Sequence, residues 1–475
     1  MSVLPSNDNE ALSSLYPPGL QLRLLQVLHR HGERTPVRRR LVPWIPPIWN
    51  MCAANDAIFA SILQFDTPDK GKSKSITTVP VRKIFQSVNG ESVDMGKAFV
   101  ANLRTSAGNP QPRLGHDYAR STLNFLPRTF DPNQFYLRST DYARTQESIQ
   151  QLISAGLYPS QFRPDSFALK IHTRDLNEDN LFPNPSCARL RTLAKQFKAV
   201  VAADMDEKMK SIAERLKGYV KEVTLDSHPS ANGILGTLMV WKWSVVCGLA
   251  VFCGRAFRLT FYGGFLFSTF PDTIFAAKVH GIPIPPEFDD AIFLDLEEVV
   301  VKEWFHGPQQ SEEMRRLGMG RLMGEIQDRI VRRAEGRTEE ERKAGDDELK
   351  MAVYAGHDTS IAPMLILLDA FDNKWPPFSS IIIFELLQDT TVPPKKTSSW
   401  FPAIFASKKP DPVASASTHY VRVRYNDRIL RLPGCAALGA HHASEDTSLC
   451  TMDAFRKIVE GQVPKNYIEE CGVQQ

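Results

Sequence analysis

Two arginines, a histidine and a glycine fall within five positions at Arg30–Arg34, inside the run RHGERTP that ends at Pro36. Arg30 and Arg34 each offer a planar, permanently charged fork suited to a phosphate dianion. His31 lies between them as a nitrogen nucleophile that needs no deprotonation when its imidazole is neutral. Gly32 lets the backbone approach a bound group closely. A second candidate pair, His357 and Asp358, follows the run KMAVYAG. A histidine beside a phosphate pocket can donate a hydrogen bond to phosphoryl oxygens in the transition state. Asp358 can protonate a leaving alkoxide where an anion-rich or low-dielectric setting raises its pKa. His31, His357 and Asp358 are also metal-ligand types, but arginine forks crowding one site repel a divalent cation. These residues point to phosphoryl transfer with neither metal nor cofactor.

The elements that must position them can be read from pattern. The apolar run Leu22–Leu28 predicts a strand that delivers His31 to its C-terminal end, where open α/β sheets place their ligands. Further strand-like runs fall at Phe135–Arg138, Leu169–Ile171, Met351–Tyr354, Ile381–Leu386 and Tyr420–Arg424, separated by helix-compatible segments. That spacing predicts an α/β fold with a mainly parallel central sheet and helices on both faces. Arg189–Val220 and Glu298–Arg333 carry apolar residues at helical spacing, and Glu335–Glu348 reads as a solvated, mixed-charge stretch.

The chain resembles the histidine acid phosphatases, branch 2 of the histidine phosphatase superfamily. Their signature Arg-His-Gly-x-Arg-x-Pro is matched at every fixed position. YLRSTDYARTQES (Tyr136–Ser148) is similar to the second motif, which implies a phosphate-binding role for Arg144. GHDTS (Gly356–Ser360) and WPPFSSIIIFEL (Trp375–Leu386) are similar to the later motifs, in the family's order. The resemblance implies a phosphoglycerate-mutase-like core with a mostly helical cap, and an acid phosphatase acting through a phosphohistidine. His31 would be the nucleophile and Asp358 the acid, with Arg30, Arg34, Arg144 and His357 binding phosphate. On this reading residues 17–36, 115–186 and 345–475 form the core, and 37–114 and 187–344 form cap insertions. Two alternatives stay open: a phosphomutase, and a catalytically silent phosphate-binding relative.

Composition agrees with a large globular enzyme. Among 475 residues, 57 basic against 54 acidic side chains give a net charge of +3, too near neutral to suggest a nucleic-acid partner. The expected partner is a small phosphomonoester, with lysophosphatidate-type lipids and small sugar or inositol phosphates as the leading classes. An apolar groove near Trp44–Trp49 and Phe275 would suit an acyl chain. The N-terminal text MSVLPSNDNEALSSLYPPG has no basic region and no apolar core, so a cytoplasmic location is expected. The seven cysteines, Cys435, Cys450 and Cys471 among them, are accordingly expected to be mostly reduced. Relatives often carry a disulfide near that C-terminal trio.

Two stretches depart from the pattern. Pro110 and Pro112 interrupt Thr105–Gly115, where the family carries a regular helix. Gly236–Pro271 has no acidic side chain, and its uncharged runs, Trp243–Gly254 and Leu259–Pro271, are too short to span a membrane. Joining Leu235 to Asp272 restores SANGILDTIFAAKVHG, which resembles the family's cap-helix pattern. We read residues 236–271 as a translated intron or a recent insertion. Sequencing the transcript tests this: the mature message is expected to join codon 235 to codon 272, and continuous message across them would remove the intron reading.

Overall fold

The computed structural model describes residues 16–32, 41, 44, 125–158, 162–164, 167–227, 230–232, 284–335, 349–391, 418–426 and 428–472, with four short strands between 60 and 94. The Gly236–Pro271 stretch, the Thr105–Gly115 stretch, Arg34 and Phe275 lie outside the described residues, as do 336–348.

The architecture is a mixed sheet of eight strands with helices on both faces. Its strands are β1 (Leu20–Arg30), β6 (Phe135–Ser139), β7 (Ile171–His172), β8 (Met351–Gly356), β9 (Ile381–Asp389), β10 (His419–Tyr425), β11 (Arg428–Ile429) and β12 (Cys450–Thr451). Between β1 and β6, β2 (Ala60–Phe65) pairs with β3 (Ile76–Val81), and β4 (Ile84–Gln86) with β5 (Ser92–Asp94). The main order is β11-β10-β9-β1-β8-β6-β7, with β12 on β10. The half that carries the site is parallel, because β8 pairs in parallel with both β1 and β6, and β6 with β7. The other half is antiparallel. Within it, buried Glu385 on β9 lies opposite Arg422 on β10 and meets its Nε at 2.5 Å. Burial alone would raise the Glu385 carboxyl, but Arg422 and Arg424 outweigh it and hold the group below the usual carboxylate range.

Leu24 and Leu28 point to one face of β1, Leu25 and Val27 to the other, as the two-residue strand period dictates. The helices are α1 (Ala143–Gln151), α2 (Ala188–Asp204), α3 (Asp206–Arg215), α4 (Asp290–Gln310), α5 (Glu312–Glu335), α6 (Asp358–Leu367), α7 (Met452–Glu460) and α8 (Tyr467–Cys471). On the Leu24 face the sheet is covered by α5, α6 and α7, through Met323, Ile326, Leu365 and Phe455. On the other face it meets Ile149 of α1 and the π-helical turn Leu152–Leu157. A second cluster unites α2, α3 and α4 and reaches the core at Ala362, Ile366 and Trp375.

Sequence and structure differ in instructive ways. The helical periodicity over Arg189–Val220 resolves into α2 and α3, and Glu298–Arg333 into α4 and α5, with an extended break at Ser311. α5 packs on the sheet itself. The expectation of reduced thiols is overturned. Cys187 is bonded to Cys471, and Cys435 to Cys450. The first bond ties the start of α2 to α8 across 284 residues of chain. Such a closure restricts the unfolded chain strongly, so replacing Cys187 and Cys471 together by serine is expected to cost about 2–4 kcal/mol. Urea unfolding of the two proteins measures it, and an unchanged midpoint would contradict a stabilising bond.

Candidate active site

Two strand ends bring the site together. Parallel pairing sets Arg30 against Gly356, so His31 and His357 leave their strands side by side. The His31 N–H donates to the Gly356 carbonyl at 3.0 Å, and the two imidazoles stand 5.5 Å apart, edge to face. Beyond Gly356 the chain turns at once into α6, with the Ser360 hydroxyl accepting from the His357 N–H at 2.9 Å. A Cβ at Gly356 would collide with that hydroxyl, which explains the glycine. Asp358 is then the first residue of a helix, where the macrodipole favours an anion. β6 ends on the same edge and leads into α1, which carries Arg144.

The site residues are buried and tightly coupled. Arg30 meets Asp358 at 2.5 Å, Nη2 to Oδ2, with both side chains almost wholly out of water. Arg30 also donates through Nη1 to the Pro376 carbonyl, and its Cζ lies over the Phe378 ring, 4.3 Å from the centroid. Burial lowers the Arg30 pKa, and the Asp358 carboxylate opposes that shift. Burial also brings Arg144 down to about 10, with Asp358 and Tyr142 opposing and Arg30 adding to the shift. Arg144 therefore stays charged at neutral pH. Its Nη2 lies 3.3 Å from His357 Nδ1. The Gly32 N–H donates to the Ser148 hydroxyl at 3.0 Å, and that hydroxyl donates to the Arg144 carbonyl at 2.6 Å.

His31, His357, Asp358, Arg30 and Arg144 are thus brought to one edge, whereas Arg34 lies outside the described residues. The arrangement offers an imidazole, an acid and two guanidinium forks at one point, the equipment for holding a phosphoryl group. Several neighbours escaped the reading of sequence. Phe378 lies 5.5 Å from His31, and Tyr142 and Phe182 face His357 at 5.2 and 6.0 Å. Glu297, from α4, accepts the Trp375 N–H at 3.0 Å and so fastens the segment that carries Pro376 and Phe378. Phe378, Tyr142 and Ser148 lay within the motifs already singled out. Nothing in the sequence marked Glu297 or Phe182.

A sequence profile described as the histidine phosphatase superfamily (branch 2) matches residues 21–426, most of the chain. This chain belongs to branch 2 of the histidine phosphatase superfamily. Among the family's curated members, a "probable acid phosphatase" of Schizosaccharomyces pombe is 29% identical, covering 96% of this chain and 95% of the relative. Lysophosphatidic acid phosphatase type 6 of Homo sapiens is 24% identical over 81% of this chain and 77% of its own length. Among solved structures, the phytase of Citrobacter braakii superposes with a TM-score of 0.52 at 15% identity, covering 96% of this chain and 100% of the phytase. That likeness shows a shared fold.

The Arg30–Asp358 contact makes a stability prediction. Arg30→Ala leaves a buried carboxylate without its guanidinium and is expected to cost about 3–5 kcal/mol. Adding Asp358→Asn to that variant should recover part of the loss, because a neutral amide costs less to bury. Denaturant melts of both proteins decide it, and a double variant less stable than Arg30→Ala alone would contradict the pairing.

Proposed function

We propose that this chain, a phosphoric monoester hydrolase of the histidine acid phosphatase type, works in two steps through a phosphohistidine on His31. One observation carries the reading. His31 Nδ1 lies 2.7 Å from the Gly32 carbonyl oxygen. A carbonyl oxygen can only accept, so Nδ1 holds the proton and the lone pair resides on Nε2. The imidazole is therefore pre-set as a nucleophile.

In the first step Nε2 attacks phosphorus, the bond from phosphorus to the ester oxygen breaks, and Asp358 gives its proton to the leaving alkoxide. Arg30, Arg144 and His357, with Arg34 from the same signature, hold the phosphoryl oxygens. In the second step water attacks phosphorus and passes a proton to Asp358. The bond to Nε2 breaks with its electron pair returning to nitrogen, and inorganic phosphate leaves. A phosphoryl dianion that engages Arg30 competes with Asp358 for that guanidinium and frees the carboxyl to meet the leaving oxygen. Rate enhancement then comes from positioning and charge neutralisation.

For the substrate we favour a monoester whose leaving group carries an apolar chain, of lysophosphatidate type. Tyr142, Phe182 and Phe378 around the two histidines support this, as does the name of the human relative. Of the groove expected near Trp44–Trp49, Trp44 is described; it is partly exposed and packs edge-on against Tyr219 at 5.5 Å.

Turnover of p-nitrophenyl phosphate without added metal tests the reading, with a phosphohistidine at residue 31 trapped by an acid-sparing quench. His31→Ala should abolish turnover, and activity persisting in that variant would overturn the mechanism. Asp358→Asn should slow alkyl phosphates at least ~10-fold more than p-nitrophenyl phosphate, whose leaving group needs little proton assistance. Equal slowing would remove Asp358 from the donor role. For substrate, kcat/KM is expected to be higher for lysophosphatidate than for glycerol phosphate, and equal values would argue against an acyl site.

A further inference from the structure

Two buried threonines reach His357 from the end of β6 and the first turn of α1. Neither belongs to the set that binds phosphate. His357 Nε2 lies 2.9 Å from Thr140 Oγ1, and Thr140 Oγ1 lies 2.9 Å from Thr145 Oγ1. The Thr145 hydroxyl donates to backbone carbonyls, that of Tyr142 at 2.8 Å and that of Thr140 at 3.1 Å. Thr140 and Thr145 are both fully buried.

The direction of each bond follows from what each group can do. Carbonyl oxygens only accept, so the single Thr145 proton is committed to them. Thr145 Oγ1 must then accept from the Thr140 hydroxyl, and Thr140 Oγ1 must accept from His357. The proton of His357 therefore sits on Nε2. The opposite nitrogen gives the same answer independently. Arg144 has only donors, so Nδ1, at 3.3 Å from its Nη2, accepts. Two separate lines of hydrogen bonding fix one tautomer.

That tautomer has a consequence for phosphate binding. Nε2 is occupied by the buried threonine, so Nδ1, on the Arg144 side, is the nitrogen that can meet a phosphoryl oxygen. To donate there Nδ1 must gain a proton, and the relay keeps the one already on Nε2. We propose that Thr140 and Thr145 are positioning residues that make His357 bind the phosphoryl group as an imidazolium cation, not as a neutral donor. The proton comes from the monoester monoanion or from solvent. It is bonded to Nδ1 as Arg144 moves from Nδ1 to a phosphoryl oxygen, and Nε2–H goes on donating to Thr140. The charged groups facing His357 among the described residues are Arg144 on α1, Asp358 at the start of α6 and Arg30 beyond it on β1. His31 and Tyr142 are the other titratable groups near the ring. A bound dianion offsets the positive charge that Arg30 and Arg144 place beside the ring. The proposal rests on His357 as a phosphoryl ligand, one part of the reading above.

The test compares pH profiles of kcat/KM for p-nitrophenyl phosphate in the wild type, Thr140→Val, Thr140→Ser and His357→Ala. Valine keeps the shape but cannot accept from Nε2–H, so the cation loses its acceptor. Its alkaline limb is expected to move down by about one pH unit, with about a tenfold fall in kcat/KM at neutral pH. Serine should restore the wild-type profile. Nitrogen NMR of labelled His357 gives a second readout that needs no variant. Nε2 alone should be protonated in the free enzyme and both nitrogens with inorganic phosphate bound. A folded Thr140→Val protein with the wild-type profile, or a phosphate complex in which Nε2 is bare, would overturn the relay. If His357→Ala is itself unimpaired, the reading of His357 as a phosphate ligand fails instead.

Discussion

The site depends above all on the parallel register between β1 and β8. Arg30 opposite Gly356 is the pairing from which the rest follows. It puts the C-terminal ends of both strands on one edge and sets two imidazoles beside each other. It also starts α6 where Asp358 can reach Arg30. A slip of one residue would turn every side chain of β1 to the other face and force Leu24 and Leu28 into the packing that Leu25 and Val27 fill. The register is therefore held by burial on both faces of the strand, so the stability of the core and the geometry of the site are one constraint.

Charge is the second organising factor. Arg30 is held out of water and Arg144 is half-buried at that end of the sheet, and Asp358 is the counterion that tempers them. In the proposed mechanism an incoming dianion replaces the carboxylate as partner of Arg30. Segments far apart in sequence maintain this arrangement. The Trp375–Phe378 segment holds Arg30 from one side, and it is fastened by Glu297 from α4. Packing of α2, α3 and α4 against Trp375 and α6 therefore bears on catalysis as well as on folding.

Much of this was legible in the sequence because it is local. A strand with apolar residues on both faces, followed at once by a histidine between arginines, states both position and chemistry. The same holds for KMAVYAG before His357. Strands β6, β8, β9 and β10 match their runs to within a few residues, whereas β7 forms at Ile171–His172 and shares only Ile171 with the run that suggests it. What could not be read was non-local. No periodicity reports that Glu297 will meet a backbone N–H 78 residues away, or that Cys187 will find Cys471. The breaks at Met205 and Ser311, which divide two long helical patterns into four helices, are not marked by the pattern either. Thr140 and Thr145 were in plain view within the second motif. Only their geometry against His357 distinguishes them from polar residues that end a strand and begin a helix.

The central claim is that His31 Nε2 bonds covalently to phosphorus. The stereochemical course at phosphorus tests it most directly, using a monoester made chiral with oxygen isotopes and sulfur. Two in-line displacements, one by His31 and one by water, each invert the centre and together give net retention. Retention is the predicted result. Net inversion would mean that water attacks the ester directly, and the account of His31 as nucleophile would be wrong.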